Sequence, residues 1–470
     1  MGTIEITFTP LGSPPKGRNT PQVLNKLPHM HPTSYPPNPS IAKNHYRENQ
    51  IHQPPANHRR KPSPDTHTNP PTKTKGSDHM AEQIFIVGGE VEPPYFIGRD
   101  EEVSRIRLDL LSRAQHNVII GPRRIGKTSL LKNLRTSIGG EVLFVQVNCR
   151  MITHPADFFR ITSRAMVEAY EEKHRAKGLA RKFSDIFKAT ITRATRSIAE
   201  IGGSIEHIGE IYLRFRENEV SEPELIEETF AFIGDLADES REQIVIAFDE
   251  FQELSRFNPA IFSLFKTHMD SRPDVRYIFS GSSVALLNKV FLKPDSPLYL
   301  MAAKVRLEPI GEEAVSRYIR SRLLMQKITI TGDALHTLYS YTDGFPFYFQ
   351  KMGFLLYQHA ILEGRDTVTS DDTELAFSSM LDEFDSEFES RYSCKFSRQQ
   401  QDILKYLSAA RTRRLKEIAA DMETQSSSLT ASMRDLTNTM TIDKPGEGRY
   451  GILDSVFRVW IARNILGNYE

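Results

Sequence analysis

The chain has few cysteines, no long apolar run and no net charge. Only Cys149 and Cys394 occur in 470 residues, which excludes a disulfide framework and a multi-cysteine metal site. No apolar run reaches the roughly eighteen residues of a membrane span, so neither a transmembrane helix nor a membrane partner is expected. The N-terminus lacks the apolar core of a secretory signal, and the cytoplasm is the expected location. Lys+Arg and Asp+Glu each number 60, but they are unevenly spread. Residues 1–79 hold ten basic against four acidic side chains, with fifteen of the 27 prolines and seven of the fourteen histidines. Apolar periodicity is nearly missing there too. Such a segment cannot bury enough surface to offset its ordering entropy, so 1–82 reads as a disordered Pro/His-rich tail. Its histidines (29, 31, 45, 52, 58, 67 and 79) show no paired-ligand spacing with cysteine and read as a solvated tail, not a metal site. Met80-Ala81-Glu82 opens the stretch that behaves like a folded protein. What precedes it is either an accessory tail or a start assigned too early.

What is present is a phosphate-binding pattern in the right setting. Gly121-Pro122-Arg123-Arg124-Ile125-Gly126-Lys127-Thr128 reads G-x-x-x-x-G-K-T. The apolar run Val118-Ile119-Ile120 leads into it, and Ser129-Leu130-Leu131 begins a helix-like stretch behind it. Strand, glycine-rich loop and helix are the context such a loop needs. The glycines let successive N–H groups turn inward as a nest for anionic oxygens. The helix adds its N-terminal partial positive charge. Lys127 is placed to reach the β- and γ-phosphates of ATP, and Thr128 to offer its hydroxyl to Mg²⁺. Arg123 and Arg124 shape the loop, with no further chemical role assigned.

Short apolar runs alternate with helical stretches along 83–310. Val142–Val147, Val245–Phe248, Tyr277–Phe279 and Val305–Leu307 read as further strands, giving an α/β parallel sheet covered on both faces. A helical insertion is expected at about 151–240. It includes one helix with Phe158, Phe159 and Ile161, one with Phe183, Ile186 and Phe187, a small hairpin near 202–215, and one with Ile226, Phe230 and Ile233. Residues 311–392 read as a helical lid. Within it Gly344-Phe345-Pro346 ends one helix and starts the next. From 393 to 470, three helices followed by a two-stranded ribbon give a winged-helix pattern.

Asp249 ends an apolar strand downstream of the loop, where a Mg²⁺-positioning carboxylate belongs. Glu250 follows, placed to accept a hydrogen bond from water and aim it at the γ-phosphate, although Asp-Glu after a strand also suits a plain turn. Ser280 and Ser282 after the fourth strand are candidate γ-phosphate sensors, or serines that merely suit a strand exit. Gln252 and Glu253 read as surface residues of the next helix. Residues 396–470 carry eleven basic against nine acidic side chains. Arg434, Lys444 and Arg449 are the candidate contacts to double-stranded DNA, with a protein partner or self-association as the alternative.

Together, Phe96-Ile97-Gly98-Arg99, the 121–131 stretch, Phe248-Asp249-Glu250-Phe251-Gln252, Ser280-Gly281-Ser282 and Gly344-Phe345-Pro346 resemble the archaeal-type P-loop ATPases. These belong to the signal-transduction ATPases with numerous domains, relatives of the AAA+ replication initiators. The resemblance covers about 90–465. It implies a catalytic-Glu core with sheet order 5-1-4-3-2, a helical lid and a C-terminal winged helix. It also implies that Ile97, Arg99 and Pro346 sit by the adenine or report nucleotide state. Family members often read Pro-Leu-Tyr-Gly-Arg after the fourth strand. Here Pro297-Leu298-Tyr299 is followed by Leu300-Met301, without the arginine. That departure implies slow hydrolysis or an arginine supplied by a partner. The expected function is a Mg²⁺-dependent ATP-hydrolysing switch coupled to the winged helix. A nucleotide-gated DNA-binding or scaffold protein with little turnover is the alternative, and a replication initiator a weaker one.

Overall fold

A computed structural model of the chain describes residues 83–174, 222–257, 260–446 and 448–467. The tail, the helix expected at Phe183–Ile191 and the hairpin near 202–215 lie outside the described residues. Five strands run parallel: β1 (His116–Ile120), β2 (Leu143–Asn148), β3 (Ile244–Asp249), β4 (Val275–Gly281) and β5 (Ala302–Arg306). Their order is β2-β3-β4-β1-β5, the expected 5-1-4-3-2 read from the other edge. Strands β1, β3 and β4 are buried throughout, as apolar runs covered on both faces must be.

Side chains alternate between the faces of this sheet. Ile119, Val245, Ala247, Ile278 and Val305 enter one core, and Val118, Ile120, Ile246, Phe248 and Phe279 enter the other. Helices α1 (Asp100–Leu111) and α2 (Lys127–Ile138) cover the first face. Helices α3 (Pro155–His174), α4 (Glu222–Ser240), α5 (Ala260–Ser271) and α6 (Val284–Phe291) cover the second. There Phe158, Phe230, Phe248, Phe251 and Phe265 form an aromatic cluster, with Phe230 and Phe265 edge to face at 4.9 Å.

The lid follows as α7 (Glu312–Leu324), β6 (Thr329–Ile330), α8 (Gly332–Thr342), α9 (Pro346–Glu363), β7 (Thr367–Val368) and the long α10 (Ser370–Lys395). Pro346 opens α9, where its missing N–H costs nothing. The C-terminal winged helix contains α11 (Arg398–Ser408), β8 (Arg413–Arg414), α12 (Leu415–Asp421), α13 (Ser426–Asn438), β9 (Ile442–Gly446), β10 (Arg449–Ile452) and α14 (Ser455–Ile461). Strands β8, β10 and β9 form its small sheet. The first core runs without a break from the sheet through the lid to Phe457 and Trp460, so apolar burial ties the winged helix to the lid. No helix among the described residues is long and apolar enough to cross a membrane.

Candidate nucleotide-binding and hydrolysis site

The site lies at the carboxyl ends of β1, β3 and β4, where an open parallel sheet leaves its crevice. The loop from Gly121 leaves β1 and enters α2 at Gly126, whose φ of +92° suits the residue without a side chain. The first N–H groups of α2 have no partner within the helix and supply the anion-binding end. Lys127 is buried at this terminus, and its Nζ donates to the carbonyls of Gly121 at 3.0 Å and Pro122 at 2.9 Å. Burial lowers its pKa, against the opposing pull of Glu250 and Asp249.

The two carboxylates after β3 are held in different ways. Asp249 accepts from Thr128 Oγ1 at 2.8 Å, Ser280 Oγ at 2.8 Å and the Glu250 N–H at 3.0 Å. Glu250 sits in the left-handed region with φ +53° and is 8% exposed. Its carboxylate accepts from the Gln252 amide, from Ser282 Oγ at 3.0 Å and from the Arg150 guanidinium at 2.7 Å. Burial pushes the Glu250 pKa up. The Gln252 hydrogen bond, the charges of Lys127 and Arg150 and the Ser282 hydrogen bond outweigh it, so the group is held below its ordinary value as a carboxylate.

A cleft of about 530 Å³ opens from this point toward Ile97, Arg99 and Pro346. Arg99 is buried and reaches the Ile125 carbonyl at 3.3 Å and Glu102 at 2.9 Å. Pro346 stands over the loop, its Cγ 3.7 Å from where a Cβ on Gly126 would be. Ser129 Oγ accepts from the Val91 N–H at 3.2 Å, and Asn133 donates to the Val91 carbonyl at 2.8 Å. These bonds stitch the 88–95 segment to α2 along one wall of the cleft. A second cleft of about 680 Å³ lies between Arg123, Gln252 and Ser282 on one side and Asp435 and Thr439 at the end of α13 on the other.

Several residues depart from the sequence reading. Gln252 is not a plain surface residue: it lies against Glu250 and Ser282 in a 3₁₀ turn after β3. Arg124 does more than shape the loop: it reaches out to Tyr348 and Glu387 of the lid. Arg150 was missed. Its only signal in the sequence is a cationic residue two positions beyond a parallel-strand end, which is where crevice residues come from. In the winged helix, Arg434 and Lys444 are exposed, whereas the Arg449 guanidinium is turned onto Thr412 with two 3.0 Å bonds.

The donor set fits magnesium, a hard cation held in such sites by one or two protein oxygens and the phosphates of the nucleotide. Thr128 Oγ1 and the Asp249 carboxylate, 2.8 Å apart at the start of α2, are oxygens that would serve in this way.

No curated protein matches the chain by sequence. The family model described as an AAA ATPase domain matches residues 95–278. The Walker-type ATPase paby2304 of Pyrococcus abyssi superposes with a TM-score of 0.57 at 20% identity, covering 81% of this chain and 99% of that one. The ORC2 protein of Aeropyrum pernix, solved in ADPNP–ADP complexes, gives 0.48 at 15% identity, covering 81% and 98% of the two chains. The ORC1 protein of Aeropyrum pernix in complex with DNA gives 0.39 at 14% identity, covering 82% and 95%. The likeness to the Pyrococcus structure is one of fold, and the family match lies on the segment that contains the phosphate loop and both carboxylates. Residues 95–278 match the AAA ATPase domain model, and the fold around them is shared with that Walker-type ATPase.

Proposed function

We propose that the protein is a Mg²⁺-dependent, ATP-hydrolysing switch whose nucleotide state sets the seating of its C-terminal winged helix. The observation that carries this reading is the pairing of roles after β3. Asp249 is fixed by Thr128 and Ser280 for the metal, while Glu250 is kept ionised beside the cleft. In this reading the N–H groups entering α2 and the Lys127 amine grip the β- and γ-phosphates. Thr128 and Asp249 would hold the metal, which would neutralise phosphate charge. Glu250 accepts a proton-bearing hydrogen bond from the attacking water and orients it. Ser280 and Ser282 tie the end of β4 to both carboxylates, so a change at the γ-phosphate is felt there. In this reading Ile97, Arg99 and Pro346, which line the cleft, serve the adenine or report nucleotide state.

Slow turnover in the absence of a partner belongs to this reading. Glu250 is engaged by three donors, and Lys127 lies on loop carbonyls. The Leu300-Met301 sequence offers no arginine after Tyr299. A partner's arginine then sets the rate. The winged helix faces this machinery: Asp443 of β9 pairs with Arg306 at 3.0 Å, and the end of α13 lines the second cleft. Duplex DNA is the partner whose chemistry suits the exposed Arg434 and Lys444. A protein partner or a second copy is the other reading.

Phosphate release by Glu250→Gln tests the enzyme reading. Loss of a positioned base lowers kcat by about 10²–10⁴. ATP affinity stays, because Lys127, Thr128 and Asp249 are untouched. Turnover within about threefold of wild type overturns Glu250 as the base.

A further inference from the structure

Arg124 is a loop residue to which phosphate chemistry assigns no role. Its φ of +68° is a conformation that a side chain disfavours, so something must hold it there. Its guanidinium donates to Tyr348 Oη at 2.8 Å and to Glu387 at 2.5 Å. The same group lies 4.7 Å from the ring of Phe347, 5.0 Å from Phe384 and 5.9 Å from Phe388. An aromatic cage with a fork of acceptors is the environment in which arginine binds best.

The cage has a far side. The buried Tyr348 hydroxyl donates to the carboxylate of Asp454, with oxygen distances of 2.8 and 3.0 Å. Asp454 caps α14 of the winged helix by accepting from the Phe457 N–H at 3.0 Å, and it pairs with Arg391 of α10 at 2.8 Å. A second contact runs in parallel: the Phe388 ring packs against Phe457 at a tilt of 48°, with centroids 5.2 Å apart. One guanidinium in the phosphate loop is thus two contacts from the first turn of α14, by a polar route and an aromatic one.

We propose that Arg124 is a positioning residue that latches the shape of the phosphate loop to the seating of the winged helix through Tyr348 and Asp454. The proposal rests on the switch reading above and gives it a route. The N–H groups that follow Arg124 point at the phosphates only when the loop keeps its shape. Contacts that hold α14 in place therefore hold the loop, and occupancy of the loop holds α14. By linkage, the two effects are equal in size.

The test uses the full chain. ATP affinity is measured by calorimetry with Mg-ATP. Hydrogen exchange of the Ser455–Ile461 amides is followed with and without saturating Mg-ATP. The variants are Tyr348→Phe, Arg124→Lys and the pair combined. Tyr348→Phe removes one oxygen that is hydrogen-bonded to Arg124 and Asp454, a change small enough for the core to keep. The expected result is a roughly tenfold weaker affinity for ATP and a blunted exchange response. The double variant is expected to be no worse than Arg124→Lys, because both break one chain. Wild-type affinity and exchange response in Tyr348→Phe overturn the latch alone, as does strict additivity in the double variant. Absence of any ATP response at Ser455–Ile461 in the wild type overturns the switch reading and the latch together.

Discussion

Replacing Gly344 by alanine tests how the lid is set over the nucleotide site. Gly344 has φ +72°, and a Cβ added there would stand 2.1 Å from the Ile310 carbonyl oxygen and 3.0 Å from its C and N. All three are backbone atoms, so no side-chain rotation relieves the clash. Gly344 also accepts from the Ile310 N–H at 3.0 Å, so moving it apart breaks a hydrogen bond as well. Gly364, at the end of α9, is the matched control: φ is +64° there, but nothing lies within 4 Å of an added Cβ. Both alanines carry the left-handed penalty of about 1–2 kcal/mol. Only Gly344→Ala adds overpacking, which costs about 1–3 kcal/mol more. The assay is urea unfolding followed by the fluorescence of Trp460, the single tryptophan, which is buried and bonded to Asp385 at 2.8 Å. Pro346 is two residues from the clash and packs over Gly126, so Gly344→Ala is also expected to lose ATP affinity while Gly364→Ala keeps it. Equal destabilisation by the two substitutions would refute the argument from the Ile310 contact.

Stability is expected to fall in mild acid. His116 and His268 are buried, and each has its pKa pushed down to about 4, by desolvation first and then by the charge of Arg276 for His116 and of Arg272 for His268. His116 Nδ1 accepts from the Tyr277 N–H at 3.0 Å, which requires the neutral ring. In the unfolded chain both rings take up a proton near 6.5, so their contribution is whole above that pH and lost as pH falls toward 4. The expected loss is about 2 kcal/mol per ring by pH 5, and unfolding curves equal at pH 7 and pH 5 would contradict it. For the winged helix, Arg434→Ala and Lys444→Ala are each expected to reduce the salt slope of duplex DNA binding by about one unit. Affinity without salt dependence points instead to a protein partner.

The phosphate loop, the carboxylates after β3 and the winged-helix pattern were legible in the sequence. Each depends on local chemistry: glycines that admit unusual backbone angles, apolar runs of strand length, and polar residues at their ends. Tertiary structure alone decided what those residues touch. Arg150 lies 100 positions from Glu250, and Arg124 lies 224 from Tyr348, so no local pattern announces either pair. Gln252 reads as a surface residue until β4 brings Ser282 beside it. Arg449 has the charge of a nucleic-acid contact until the fold turns it onto Thr412. Sequence determines which chemistry the chain can hold, because that is written in short stretches. The restraint on Glu250 and the link from the loop to α14 arise only when packing brings distant charges together at hydrogen-bond range.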